Sequence, residues 1–241
     1  MKNKISLDQV LSELKRLGTA EIIKSKERKF GITTNNALGI YQKDIKTIAK
    51  GMAFDNDLAV RLFDTGIYEA RLLCSKIYDP LSLTNALMEA WVKTFDNWEI
   101  CDSYCMGPFS RSKFAIPKAL KWSRSDAEFV KRAGLVIMAA YGSTDKEAEN
   151  DVFQQFFPVM VREAGDERKY VSKAINWALR QTGKRNPDLR LEAIKTAKRI
   201  LCLEHRSAQW IAKDALKELV NPNTKILNYP RRLYGKRSSQ Q

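Results

Sequence analysis

Trp98 and Asp102 stand four residues apart in Phe95-Asp96-Asn97-Trp98-Glu99-Ile100-Cys101-Asp102. On a helix of 3.6 residues per turn this spacing leaves them about 40° apart around the axis, so one pocket can touch both. An indole face attracts cations and a carboxylate pairs with them, so the two together suit a positively charged guest or a reaction that builds positive charge. A core tryptophan beside a capping aspartate has the same spacing, and at this point both readings stand.

The rest of the chain gives the pair its contrast. Forty-two Lys and Arg against 28 Asp and Glu leave a net charge of +14. A surplus of that size defines a surface field and points to a polyanion as partner. A membrane surface fits less well, because no segment pairs a broad apolar face with a polybasic one. A second tryptophan, Trp177, lies four residues after Lys173 in Val171-Ser172-Lys173-Ala174-Ile175-Asn176-Trp177-Ala178-Leu179-Arg180 and shares its helix face. It either lines a binding surface or fills the core.

Several chemistries are excluded. There is no glycine-rich phosphate loop, HExxH, GxSxG or CxxC pair, and His205 is the only histidine, which argues against Ser-His and Cys-His catalysis. Cys101 and Cys105 have i, i+4 spacing, but a closed zinc site needs four ligands, and the other cysteines, Cys74 and Cys202, are remote in sequence. No metal or cofactor is expected, and the thiols are read as reduced and mostly buried.

Residues with 3.6 periodicity fill nearly every segment, so the elements that position these side chains are helices. Ser6 is read as the N-cap of the first helix and Gly18 as its end. Further helices are expected at 19–27, 41–51, 56–64, 68–78, 82–95, 97–105, 112–123, 126–142, 145–164, 167–182, 188–203 and 207–220. The connectors are too short for an interdomain linker, giving one domain over 1–228 and a short basic tail over 229–241, either an arm that touches DNA or a disordered end. The longest apolar run, about Gly134 to Tyr141, falls far short of the roughly 20 residues of a membrane span. The N-terminus lacks the pattern of a secretory signal, so a bacterial-type cytoplasmic or nucleoid location is expected.

An internal repeat sharpens the architecture. Val130-Lys131-Arg132-Ala133, Val171-Ser172-Lys173-Ala174 and Ile211-Ala212-Lys213-Asp214 share an apolar-x-basic pattern, with Arg132, Lys173 and Lys213 spaced 41 and 40 residues apart. That period fits HEAT-like helical pairs, so the expected fold is an all-α solenoid with a basic concave groove and a ladder of these three cations. Such a groove can follow a phosphate backbone.

Three blocks then carry a resemblance: Asp96-Asn97-Trp98-Glu99-Ile100-Cys101-Asp102, Glu128-Phe129-Val130-Lys131-Arg132-Ala133, and Lys173-Ala174-Ile175-Asn176-Trp177-Ala178-Leu179-Arg180 followed by Lys184-Arg185-Asn186-Pro187. In this order, from about residue 19 to 220, the chain resembles the DNA alkylation repair glycosylases built from HEAT-like repeats, the AlkD-like family. The resemblance implies a monofunctional glycosylase that removes cationic N3- and N7-alkylated purines from double-stranded DNA, with water rather than lysine as nucleophile. It further implies that Asp102 is the catalytic carboxylate, that Trp98 and Trp177 are aromatic walls, and that Arg132, with Lys173, Lys213 and Arg180, holds the DNA backbone. A family tyrosine falls on Phe30, ahead of Leu38-Gly39-Ile40, a departure that keeps the aromatic face and loses the hydroxyl. A groove without a tight base pocket is expected, in a protein that works as a monomer and needs no obligate protein partner. The alternative from another class is a non-catalytic HEAT-like module binding DNA or RNA structure; a third, a scaffold for an acidic protein, leaves the Trp98–Asp102 pair unexplained.

Overall fold

Ser6 opens the first helix, α1 (Leu7–Leu17), through a reciprocal capping box with Gln9, and Gly18 closes it. The structure, a computed structural model, describes residues 5–235. Within them the chain is helical, without strands, and divides into two compact units between Ser112 and Lys113.

In the first unit α1 is followed by α2 (Ala20–Phe30), α3 (Gln42–Lys50), α4 (Asn56–Asp64), α5 (Tyr68–Ile77), a 3₁₀ turn at Pro80–Ser82, α6 (Asn85–Val92), α7 (Trp98–Tyr104) and a π-turn at Cys105–Phe109. Helix α2 ends at Gly31, whose left-handed backbone (φ 63°) halts the helix immediately after Phe30. The loop beyond it is tied down by the fully buried carboxylate of Glu69 on α5, which accepts from the N–H groups of Leu38, Gly39 and Ile40 at 2.8, 2.9 and 3.2 Å. Helix α5 packs on α3, α4 and α7 and is buried along most of its length. Around Trp91 and Tyr104 gathers an aromatic core, with ring centroids at 5.2 Å between these two and also between Tyr104 and Phe95.

In the second unit the helices are α8 (Ala115–Trp122), α9 (Glu128–Thr144), α10 (Asn150–Gln154), α11 (Phe156–Glu163), α12 (Lys169–Gly183), α13 (Pro187–Leu201), α14 (Arg206–Leu219) and α15 (Arg231–Tyr234). Helix α9 packs on α8 and α12, and α12 on α13 and α14, so the three repeat segments noted in the sequence do lie on successive stacked helices. Gly134 permits the close approach of α9 to α8: a Cβ there would sit 2.6 Å from the Ser123 nitrogen and 2.7 Å from the Ala119 carbonyl oxygen.

The single helix expected over 145–164 is instead two. Asp145 accepts from the N–H groups of Glu147 and Ala148, forming a turn, and Pro158 has no N–H to offer the Gln154 carbonyl, so the ladder breaks between α10 and α11. The start of the tail is docked rather than loose. Tyr229 donates its N–H to the Arg185 carbonyl at 3.0 Å, Tyr234 donates its hydroxyl to Asp188 at 2.5 Å, and Arg232 pairs with Glu149. Residues 236–241 lie outside the described residues. No helix among the described residues is long and apolar enough to cross a membrane.

Candidate active site

Asn97 sets the site by capping α7. Its side-chain oxygen accepts from the N–H groups of Glu99 and Ile100 at 3.0 and 3.1 Å and lies 3.1 Å from the Tyr68 hydroxyl oxygen. The cap places Trp98 at the first helical position and Asp102 one turn on, both partly buried. Behind them Glu99 pairs with Lys26 of α2 at 2.7 Å and accepts from the Tyr68 hydroxyl at 2.7 Å. Burial, reinforced by the Glu99 charge, holds the Tyr68 hydroxyl far above the usual tyrosine range, so it stays a donor. Helices α2, α5 and α7 are thus locked by a buried polar network one residue away from Trp98.

Phe30 joins the site from the end of α2. Its ring meets the Trp98 indole edge-on, with centroids 6.3 Å apart, and its backbone carbonyl accepts from Trp98 Nε1 at 3.0 Å. The indole is thus held by main chain, a contact that does not depend on which side chain stands at position 30.

Trp98 and Asp102 line one cavity of about 540 Å³, together with Lys46, Ser75, Lys76, Ser103 and Arg111. Lys76, on α5, donates to Ser103 Oγ at 2.7 Å, and Ser103 Oγ lies 2.7 Å from Ser75 Oγ. Burial lowers the Lys76 ammonium pKa to about 8, helped by the positive charges of Lys46 and Arg111 and opposed by Glu99. Lys46, Lys76 and Arg111 escaped the sequence reading. The available signal was a lysine set in Leu72-Leu73-Cys74-Ser75-Lys76-Ile77, a run otherwise buried, where a solvated lysine is not expected.

The remaining predicted residues belong to the second unit. Lys173 on α12 and Lys213 on α14 are exposed. Arg132 departs from the expected ladder: it is only 6% exposed, and its guanidinium donates to the Tyr170 carbonyl at 2.6 Å, so it sits in the packing of α9 on α12. Arg180 is likewise engaged within the fold, donating to Asn176 at 2.8 Å and to Glu218 at 2.5 Å, with Asp214 at 3.7 Å. Trp177 is half-buried, with its Nε1 positioned 3.3 Å from the Gln181 amide oxygen once that amide is oriented to suit its neighbours.

The family model of the DNA alkylation repair enzymes matches residues 10–219. The chain belongs to that family. This DNA alkylation repair family member is similar in fold to a solved structure from a new family of proteins related to the HEAT-like repeat DNA glycosylases, with affinity for branched DNA structures. The TM-score is 0.72 at 21% identity, over 92% of this chain and 98% of that one. A designed armadillo repeat protein aligns with a TM-score of 0.41 at 14% identity, over 91% of this chain and 96% of that one. No curated protein matches the sequence. The fold is therefore the all-helical HEAT-like repeat fold anticipated from the 40-residue period.

Proposed function

We propose that the protein is a DNA glycosylase that hydrolyses the N-glycosidic bond of cationic N3- and N7-alkylated purines in duplex DNA. The observation that carries this reading is the shared cavity of Trp98 and Asp102 in a protein of net charge +14. Alkylation at N3 or N7 makes the base a cation and a good leaving group, so no strong general acid is required. As the bond breaks, positive charge builds on the deoxyribose, as in the oxocarbenium-like transition states of glycoside hydrolysis. Asp102 stabilises that charge and positions the attacking water. Trp98 contributes cation–π attraction on the order of 0.5–2 kcal/mol. Trp177 is proposed as a further aromatic surface for the lesion.

The cations have a separate task. A damaged nucleotide carries a cationic base between anionic phosphates, so Lys46 and Arg111 at the cavity suit the phosphates while Asp102 and Trp98 suit the base and sugar. Lys173 and Lys213 are the exposed backbone contacts of the second unit; Arg132 and Arg180 act by fixing the helices that carry them. The protein is proposed to work as a monomer.

Incubation with methylated duplex DNA tests the reading: release of free 3-methyladenine or 7-methylguanine is expected, and none under conditions where the DNA is bound overturns it. A second reading, a non-catalytic module that recognises DNA structure, is favoured by the similarity to a protein with affinity for branched DNA. It predicts tight binding to four-way junctions with no base release.

A further inference from the structure

Lys76 is a chemical group that the proposed hydrolysis does not use. Its amine lies on the wall of the cavity shared by Trp98 and Asp102, on a helix whose flanking residues Ser75 and Ile77 are buried. The hydroxyl protons around it are spoken for. Ser75 donates to the Leu72 carbonyl at 2.7 Å, so in the 2.7 Å contact between the two serines Ser103 is the donor, and Ser103 Oγ accepts from Lys76 Nζ at 2.7 Å. The chain of donors thus runs in one direction, from Lys76 through Ser103 and Ser75 to the Leu72 carbonyl. Lys76 is held by a hydrogen it donates, and neither serine donates a hydrogen back to it. When neutral, the amine carries a lone pair that neither serine occupies, on a residue that lines the cavity.

Lys46 and Arg111 line the same cavity and oppose a third positive charge. With the pKa lowered to about 8, a far larger share of Lys76 is neutral near neutral pH than of an ordinary solvated lysine. A buried, oriented and partly neutral amine is the arrangement of a lysine that condenses with carbonyls.

An electrophile of that kind follows from the reading above, on which this inference rests: once the base is lost, the deoxyribose opens to expose an aldehyde at C1′. We propose that Lys76 is a nucleophile toward the aldehyde of an abasic site in DNA. The Nζ lone pair forms a bond to C1′ while the C=O π pair moves to oxygen, which takes up a proton as the nitrogen gives one up. The resulting carbinolamine loses water and becomes an imine. The balance is amine plus aldehyde to imine plus water, with no oxidant or reductant. Glycosidic cleavage remains the work of Asp102 and water; Lys76 acts on its product.

The test uses the full chain and a duplex with a single preformed abasic site, made enzymatically from deoxyuridine, in the presence of cyanoborohydride, which reduces the imine to a stable amine. Expected is a covalent protein–DNA band under denaturing conditions, with peptide mapping placing the adduct on Lys76. Lys76→Arg keeps the charge and lacks a nucleophilic amine, so its trapping falls at least tenfold while its circular dichroism and thermal transition report an intact fold. Should that variant misfold, mapping on the wild-type protein decides alone. The absence of a band, an adduct on another lysine, or undiminished trapping by folded Lys76→Arg overturns the inference. Because the abasic site is supplied, trapping without any release of alkylated bases would uphold this inference and remove the glycosylase reading.

Discussion

Lys76 carries its charge at a cost to folding, and the sign of that cost is measurable. Burial disfavours the ammonium in the folded state, where its pKa is about 8, down from an ordinary 10.5. Below pH 8 the folded protein must keep a proton it holds weakly, so the penalty is fully present there; it fades as pH rises from 8 to 10.5. Lys76→Met is therefore expected to raise stability at pH 7 by on the order of 1–3 kcal/mol, allowing for the lost Ser103 hydrogen bond, and to gain progressively less above pH 8. Urea unfolding at pH 7 and pH 10 reads this out, and a gain independent of pH contradicts the burial of the charge. Trp98 and Asp102 were legible in the sequence because helical spacing alone put them on one face. Lys76 was not, since a helix lysine is ordinarily solvated, and what buries it comes from α3, α7 and the π-turn, remote in sequence. Glu99 is similar: its partner Lys26 is 73 residues away.

At the scale of elements, α7 is a seven-residue helix that depends on its cap more than on its own propensity. Asn97→Ala removes the acceptor for two helix N–H groups at once, while the Tyr68 hydroxyl keeps Glu99 as its acceptor. A loss of about 1–2 kcal/mol is expected in chemical denaturation, with base release falling as the helix start loosens around Trp98. An unchanged stability would mean that packing alone fixes α7. Most helices were legible from period and punctuation, including the Ser6 cap, the Gly18 stop and the span 56–64, which the structure reproduces as Asn56–Asp64. The break between α10 and α11 was not, because periodicity continues across it while Pro158 removes the hydrogen bond on which a continuous helix relies.

For the whole molecule, a net charge of +14 makes DNA affinity a function of salt. Lys173→Ala and Lys213→Ala are each expected to reduce the slope of log K against log salt by about one, as the loss of one phosphate contact does. Arg180→Ala is expected to lower stability and leave the slope nearly unchanged, since its charge faces Glu218 and Asp214; fluorescence titrations from 50 to 200 mM salt distinguish the two classes. The 40-residue period foretold the stacking of α9, α12 and α14. It did not foretell that Arg132, in register with two exposed lysines, would be buried, because register fixes which helix face a residue occupies and not whether the neighbouring helix covers it. The claim that separates catalysis from DNA binding is the role of Asp102, and one comparison tests it most directly: wild-type protein and Asp102→Asn on the same methylated duplex, with bound fraction and released base both measured. The predicted result is binding within about twofold and base release reduced by about a hundredfold or more, the scale of a lost transition-state charge contact; Asp102→Asn releasing alkylpurines at the wild-type rate would contradict it.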